Sequence, residues 1–434
     1  MNFISENISV NSAGRLCFAG QDVTELAREY GTPLYLFDED RIRHNCRVYT
    51  QAFRECFPEG SGVLYASKAC CFKRMLAIVS EEGLGTDVIS PGEILTAARA
   101  GADMSRAYYH SNDKTDDDIR FAMDLGVGYF VLESEDEALA VSDAAVARGF
   151  RQKVLLRATP GIDTHTYAAV NTGLVDSKFG VPVETGQAAA LAGRVLTLPG
   201  LELKGFHCHV GSMVFAENVF ERTADIMVDF IADVYKKYGY LAGQLNLGGG
   251  YGVRYVNDDP YPDIPDRIRR VADTIGSRCE RHGLPFPKVF MEPGRSIVAD
   301  AGMTVYTAGS VKSIPGYKNY ISVDGGMTDN PRYALYRSRY SCVNASRAAE
   351  KCSKHFDLVG RCCESGDVIQ PSVLFPEGTG RGDIIAVCTT GAYNYSMASN
   401  YNRIARPAAV MLQGGKSALA VRRETAEDLL GLDL

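Results

Sequence analysis

VLYASKACC, residues 63–71, reads as a buried strand that ends in a lysine. Val63, Leu64 and Tyr65 favour extended backbone, Ala66 and Ser67 are small, and Lys68 follows. The same design recurs downstream. Short apolar runs begin near Val63, Gly85, Ala107 and Tyr129, each 22 residues after the one before, as VLYASKA, GTDVIS, AYYHSN and YFVLES. Each ends in small or polar residues and runs into a helical stretch. In SPGEILTAARAG, Ser90 predicts an N-cap, Pro91 the first helical position, Glu93 a capping box and Gly101 the stop. In KTDDDIRFAMDLG, acidic residues fill the first turn, where the helix dipole favours them. The pattern continues at wider spacing with VLLRATPG (154–161), GFHCHVGS (205–212), QLNLGGGYG (244–252) and KVFMEPGRS (288–296). Helices lie between them. The clearest covers 216–238, with Phe220, Met227, Phe230, Val234 and Tyr238 along one face. Eight strand–helix units predict an α/β fold, a (β/α)8 barrel of the TIM type, in preference to a doubly wound open sheet.

After Ser296 the texture changes. MTVYTAGSVKSI, YISVDGG, FDLVGRCC, DVIQPSVLF and DIIAVCTTGAY are β-rich and separated by turns, which predicts a mostly antiparallel C-terminal β domain. The strand-like N-terminal segment, with a helix at Val23–Tyr30, is expected to join it. The expected division is therefore a β-rich domain of residues 1–32 and 297–434 and a barrel of residues 33–296. GTPLYLFDE (31–39) is read as a strand entering the barrel, followed by a helix from Asp40 to Cys56.

A chain of 434 residues is too long for one compact core. At 46% hydrophobic and 23% charged residues it is globular rather than disordered. A net charge of −7 without a basic run argues against a nucleic-acid partner. No apolar run approaches the roughly 18 residues that span a bilayer, so no membrane partner is expected. The N-terminus lacks the basic and apolar regions of an export signal, which points to the cytoplasm. The twelve cysteines fit no zinc spacing and read as free thiols, most of them buried.

In such barrels the chemistry collects at the carboxyl ends of the strands. Those ends offer Lys68, then His110, Ser111 and Asn112, then Arg157, then His209 and Ser212. The last two strands offer Gly248, Gly249 and Gly250, then Glu292, Gly294 and Arg295. Loops after strands 7 and 8 commonly bind phosphate in this fold. Three glycines let backbone N–H groups approach an anion, and Arg295 adds donors. GGGYG does not match G-x-G-x-x-G, which disfavours a dinucleotide. A lysine at a strand end either reaches solvent or is an amine held for reaction with an aldehyde. An amine, a phosphate site, a carboxylate and a histidine on one face together suit pyridoxal 5′-phosphate. Lys68 would take the aldehyde, the glycine loops the phosphate and Glu292 the pyridine nitrogen, with His209 flat against the ring. Among other lysines, Lys204 precedes its strand, and Lys178 in VDSKFG has no fixed platform. His207 and His209 point to one face at i, i+2, so a metal pair with His110 is conceivable. Too few further ligands stand at neighbouring strand ends, and no metal is expected. In the β-rich part, GRCCESGDVI (360–369) places Cys363 beside Cys362 and Glu364. Read alone, that is a strand cysteine next to a turn.

Eight motifs in order carry a resemblance. They are YASKA (65–69), DSKFG (176–180), HCHVGS (207–212), GGG (248–250), EPGR (292–295), MTDNPRYALY (327–336), CESGD (363–367) and GAYNYSMASNYN (391–402). From about Gly31 onward the chain resembles the fold-type III pyridoxal-phosphate-dependent decarboxylases, and within them the branch acting on meso-2,6-diaminopimelate. The resemblance implies an alanine-racemase-like barrel with a β domain, and a homodimer with active sites shared at the subunit interface. It implies Lys68 as the Schiff-base lysine and His209 stacked on the ring. Ser212, Gly249, Gly250 and the turn of Glu292, Pro293, Gly294 and Arg295 would hold the cofactor, with Glu292 at the pyridine nitrogen. Cys363 would be the proton donor, reaching in from the partner subunit. Arg295, Arg332, Tyr336, Glu364 and Tyr393 would contact substrate, Tyr393 also lying near the cofactor. The expected reaction releases CO2 and L-lysine. The distal end of this substrate carries a carboxylate and an ammonium, which two arginines and a glutamate match. Ornithine-, arginine- and carboxynorspermidine-type decarboxylases of the same fold are the alternatives. A distal ammonium alone, as in ornithine, would be repelled by two arginines. Met213 stands where this family often has glutamine, and Tyr333 where proline is common.

Overall fold

A computed structural model describes residues 3–163 and 173–434. Eight parallel strands close into a ring. In chain order they are β1 (Gly62–Ala66), β2 (Gly85–Val88), β3 (Ala107–Tyr109), β4 (Tyr129–Leu132), β5 (Gln152–Thr159), β6 (Leu201–His207), β7 (Gln244–Asn246) and β8 (Lys288–Met291). Neighbours pair in sequence order, and β8 returns to β1 to close the barrel. The closing seam is short. Phe290 stands opposite Gly62 and Met291 opposite Val63, and the Ala66 N–H donates to the Pro293 carbonyl at 3.1 Å. Leu64, Tyr108, Val131 and Leu155 fill part of the interior with Tyr129 and Phe290. The Tyr108 and Tyr129 rings stack with centroids 4.3 Å apart, so this is a packed core rather than a pore.

The helices follow their caps. Ser90 Oγ accepts from the Glu93 N–H at 3.3 Å and starts the helix Pro91–Arg99. The expected capping box is only half formed. The Glu93 carboxylate takes the Ile89 N–H at 2.8 Å instead and lies 2.7 Å from Ser67 Oγ. It therefore ties the end of β2 to the turn that carries Lys68. The helix Val219–Tyr238 buries Phe220, Met227, Phe230 and Val234 as its periodicity predicts, while Tyr238 at its end stays exposed.

The chain divides into two compact units. The barrel unit comprises residues 45–252 and 262–296, and the β unit comprises residues up to 44, 253–261 and 297–434. The expected boundary at residue 32/33 is therefore moved. The strand Leu34–Asp38 does not enter the barrel. It lies between Gly302–Ile314, antiparallel, and Ala408–Gln413, parallel. All five of its residues are buried, with Leu34 and Leu36 among Met303, Val305, Val410 and Leu412. A strand apolar on both faces fits either sheet, so its sequence alone does not choose. The β unit's sheet continues antiparallel from Gly302–Ile314 to Ile384–Cys388 and to Lys318–Val323. A three-stranded sheet, Ile8–Val10, Leu16–Phe18 and Gln21–Asp22, leads into the helix Val23–Tyr30. All twelve cysteines are free thiols. Among the described residues no helix is long and apolar enough to cross a membrane.

Candidate active site

β1 ends in a single 3-10 turn, Ser67–Ala69, that presents Lys68. The turn is held by the Tyr65 hydroxyl, which donates to the Cys70 carbonyl at 3.0 Å, by Ser67, which donates to the Asp87 carbonyl at 2.6 Å, and by Glu93 beside Ser67. Lys68 Nζ lies 4.0 Å from Asp87 Oδ2. Asp87 is fully buried at the end of β2. Burial raises its carboxyl above the usual range, against the pull of His110 and Lys68. Its Oδ1 has no hydrogen-bond partner among the described residues and sits 3.8 Å from His110 Nε2. The sequence reading missed Asp87. The available signal was a lone acid in the otherwise apolar end of GTDVIS.

Glu292 follows β8 and is the hub of the barrel's polar interior. It accepts from His110 Nε2 at 2.9 Å, His207 Nε2 at 3.0 Å and Asn246 Nδ2 at 2.7 Å. Burial opposes its charge, but the two imidazoles and their hydrogen bonds outweigh that and hold the carboxyl well below its ordinary range. Burial also lowers His207 to about 4, so its ring is neutral and donates through Nε2–H. His110, His207 and Glu292 offer ligand atoms within 4.8 Å of one another, as a cation site would. The hydrogen bonds already account for that spacing. The H-x-H pair splits: His207 turns to Glu292, while His209 Nδ1 accepts the Gly249 N–H at 3.2 Å. Burial, and then the charge of Lys68, holds His209 well below its ordinary range, so it too is neutral, with its proton on Nε2.

Lys68, His110, Arg157, His207, His209 and Glu292 line one cavity of about 360 Å³. Lys178 and Phe179 line it too. Lys178 borders the cavity from an exposed stretch without helix or strand. Its Nζ lies 4.8 Å from the Phe179 ring centroid, and the Arg157 guanidinium lies 4.6 Å from the same centroid. Arg157 is neutralised by Glu133 at 2.7 Å.

The glycine run lies beside this cavity's histidine. Gly250 has φ +123°, and a Cβ on Gly249 would sit 2.1 Å from the Glu292 carbonyl oxygen, so no side chain fits there. The loop after β6 is stitched to the run: Val214 N–H donates to the Gly250 carbonyl at 2.9 Å, and Gly252 N–H to Val214 at 3.1 Å. Met213 adopts φ +62° within that loop. Ser212 Oγ accepts from Arg295 Nη2 at 3.0 Å and Nε at 3.3 Å, and Pro293 lies in the barrel seam beside Gly294. Bare backbone, a hydroxyl and a buried guanidinium suit a phosphate. A neutral histidine, an ionised carboxylate and a lysine amine suit a pyridine aldehyde. The residues fit pyridoxal 5′-phosphate.

The remaining expected residues lie in the β unit. The helical turn Arg332–Tyr336 brings Arg332 between two rings, 5.3 Å from the Tyr336 centroid and 5.2 Å from that of Tyr393. Tyr393 holds φ +67°, a conformation that costs a non-glycine residue about 1 kcal/mol or more. Arg332 is buried and its Nε lacks a hydrogen-bond partner among the described residues. Cys363 is exposed, and its N–H donates to Asn402 Oδ1 at 3.0 Å. The neighbouring thiol of Cys362 is pushed up to about 12 by burial and Asp367. Glu364 accepts from the Gly366 N–H at 3.1 Å and so sits in its own turn. A further cavity of about 500 Å³ in this unit, lined by Arg339, Asn344 and Cys342 among others, holds none of the expected residues.

Comparison with known proteins agrees with these features. The family described as pyridoxal-dependent decarboxylase, pyridoxal binding domain, matches residues 40–299. The chain is similar to the diaminopimelate decarboxylase of Bacillus subtilis (strain 168), at 40% identity over 98% of this chain and 96% of that one. It is 38% identical to the Staphylococcus aureus (strain COL) diaminopimelate decarboxylase over 98% of both chains. Its fold is similar to a crystal structure of diaminopimelate decarboxylase from M. jannaschii in complex with L-lysine. That match has a TM-score of 0.91, 29% identity, and covers 99% of this chain and 98% of the other.

Proposed function

The chain belongs to the pyridoxal-dependent decarboxylases, in the diaminopimelate decarboxylase family, and we infer that it converts meso-2,6-diaminopimelate to L-lysine and CO2. Pyridoxal phosphate, when bound, supplies the electron sink that lets the bond between the α-carbon and its carboxylate break. Lys68 would be the amine that holds the cofactor's aldehyde, and the Asp87 carboxylate lies 4.0 Å from it, placed to share its proton. Glu292, held as an anion, would pair with the ring nitrogen and favour its protonated form. His209, a neutral imidazole, would stack on the ring. The glycine run, Ser212 and Arg295 would hold the phosphate.

Further roles rest on the family's motifs. Arg332, flanked by the Tyr336 and Tyr393 rings, would meet the distal carboxylate, and Glu364 the distal ammonium. Arg295 is the second arginine of the substrate set. Cys363 Sγ delivers the proton that replaces the lost carboxylate, from the partner subunit of a homodimer. The enzyme works in the cytoplasm.

One observation carries the reading: a lysine amine and a glutamate held ionised by two histidines line the same cavity. The test is to load the purified protein with pyridoxal phosphate and follow CO2 and L-lysine from meso-diaminopimelate. Ornithine, arginine and carboxynorspermidine serve as competitors. Equimolar CO2 and lysine are expected from diaminopimelate alone. No turnover of it, or faster turnover of a competitor, would overturn the assignment.

A further inference from the structure

Asn246 ends β7 with no exposed surface and touches both halves of the barrel's polar interior. Its Nδ2 donates to Glu292 Oε1 at 2.7 Å, and its Oδ1 accepts the Gly248 N–H at 2.9 Å. The backbones beneath are joined as well, since the Glu292 N–H donates to the Gly248 carbonyl at 2.8 Å. One amide therefore links the carboxylate after β8 to the glycine run after β7.

A carboxylate has about four acceptor positions, two on each oxygen. Around Glu292, His110 and Asn246 occupy Oε1, and His207 occupies one position on Oε2. One position on Oε2 remains among the described residues. The donors also fix the rotation of the carboxylate, because they approach both oxygens. We propose that Asn246 is a positioning residue that, with His110 and His207, locks Glu292 to the glycine run and leaves a single acceptor on Oε2 for the cofactor's ring nitrogen. The proposal rests on the reading that this cavity holds pyridoxal phosphate. It adds that the ring end and the phosphate end of the site are set by one side chain.

Asn246→Asp is the discriminating variant. It keeps the shape and the acceptor for Gly248 but turns the donor toward Glu292 into a second carboxylate. Two carboxylates at that distance share a proton, and Glu292 then stops being a fixed anion. The expected result is a kcat lower by about tenfold or more with KM for meso-diaminopimelate changed by no more than about threefold. The absorbance of the bound cofactor should shift as well. A role confined to supporting the loop would leave this variant near wild type in kcat and spectrum, and that result would overturn the proposal. Loss of cofactor affinity with kcat unchanged would overturn it too.

A second pair does not depend on Asn246→Asp folding. His207→Gln places an amide N–H near the Nε2 position, and His207→Leu removes the donor. His207→Gln is expected to retain about tenfold more activity than His207→Leu. Equal losses in the two would sink the positioning role. All variants are compared with the wild-type holoenzyme, whose own lysine formation tests the functional reading separately.

Discussion

Lys68 stands on a one-turn helix pinned by Tyr65, Ser67 and Glu93, so its placement is set by neighbours rather than by its own flexible stem. Lys68→Ala is expected to lower kcat/KM by about a thousandfold or more and to abolish the visible absorbance of lysine-bound pyridoxal phosphate. Cys363→Ala makes the opposite split. It should keep the cofactor spectrum while turnover falls by about 10²–10⁴-fold, the range for a lost general acid; full activity in that variant would remove the thiol from the mechanism. His207 gives a pH dependence. In the folded chain it stays neutral down to about 4, whereas an unfolded histidine protonates near 6.5. Between these values the unfolded state binds more protons. The stability this group contributes is thus present above about 6.5 and is lost as the pH falls toward 4, by at most roughly 3 kcal/mol. Thermal midpoints from pH 7 to 4 should fall less steeply in His207→Gln than in wild type. The residues at strand ends were legible because position alone nominates them in a barrel. Asp87 and Asn246 were not, because a single polar residue in a short apolar strand looks the same whether it packs or works.

At the scale of elements, the 22-residue spacing, the cap at Ser90 and the acidic first turn of the helix Asp116–Asp124 made the strand–helix alternation readable. The strand Leu34–Asp38 misled because five buried residues carry no alternation to reveal which sheet they join. Its placement has a direct check. Leu36 has no exposure and packs with Met303, Val410 and Leu412 in the β unit. Leu36→Ala should cost about 2–5 kcal/mol of stability in denaturant unfolding. The cofactor spectrum of the surviving folded fraction should stay unchanged. The expected role of the glycine run in holding phosphate has a direct check as well. In Gly249→Ala the new methyl would lie 2.1 Å from the Glu292 carbonyl oxygen, a contact only backbone movement relieves. This variant is expected to fold yet fail to retain pyridoxal phosphate on gel filtration. Retention at wild-type affinity would show that the run is only a turn.

At the scale of the whole molecule, the expected chemistry is divided between two units: the cofactor residues in the barrel, and Cys363, Glu364, Arg332 and Tyr393 in the β unit. If each site draws Cys363 from the partner subunit, two inactive variants repair one another. Mixing Lys68→Ala with Cys363→Ala under conditions that exchange subunits should restore about one quarter of wild-type activity, since half the dimers then hold one intact site. No recovery, with exchange verified by mass, would place both residues in the same chain's site. Division of labour between subunits leaves no periodicity in a sequence, which is why only the family resemblance suggested it.

The barrel seam adds a consequence for how the enzyme matures. Lys68 follows β1 and Glu292 follows β8, and those strands meet over a short ladder, Gly62–Phe290 and Val63–Met291, extended by the Ala66–Pro293 hydrogen bond. More than 220 residues separate the two sides of this joint along the chain, so its closure is entropically among the costliest contacts in the barrel. A cofactor bonded to Lys68 on one side and paired with Glu292 on the other would act as a clasp across it. Pyridoxal phosphate would then bind late, to a barrel already nearly complete, and its arrival would slow reopening more than it speeds folding.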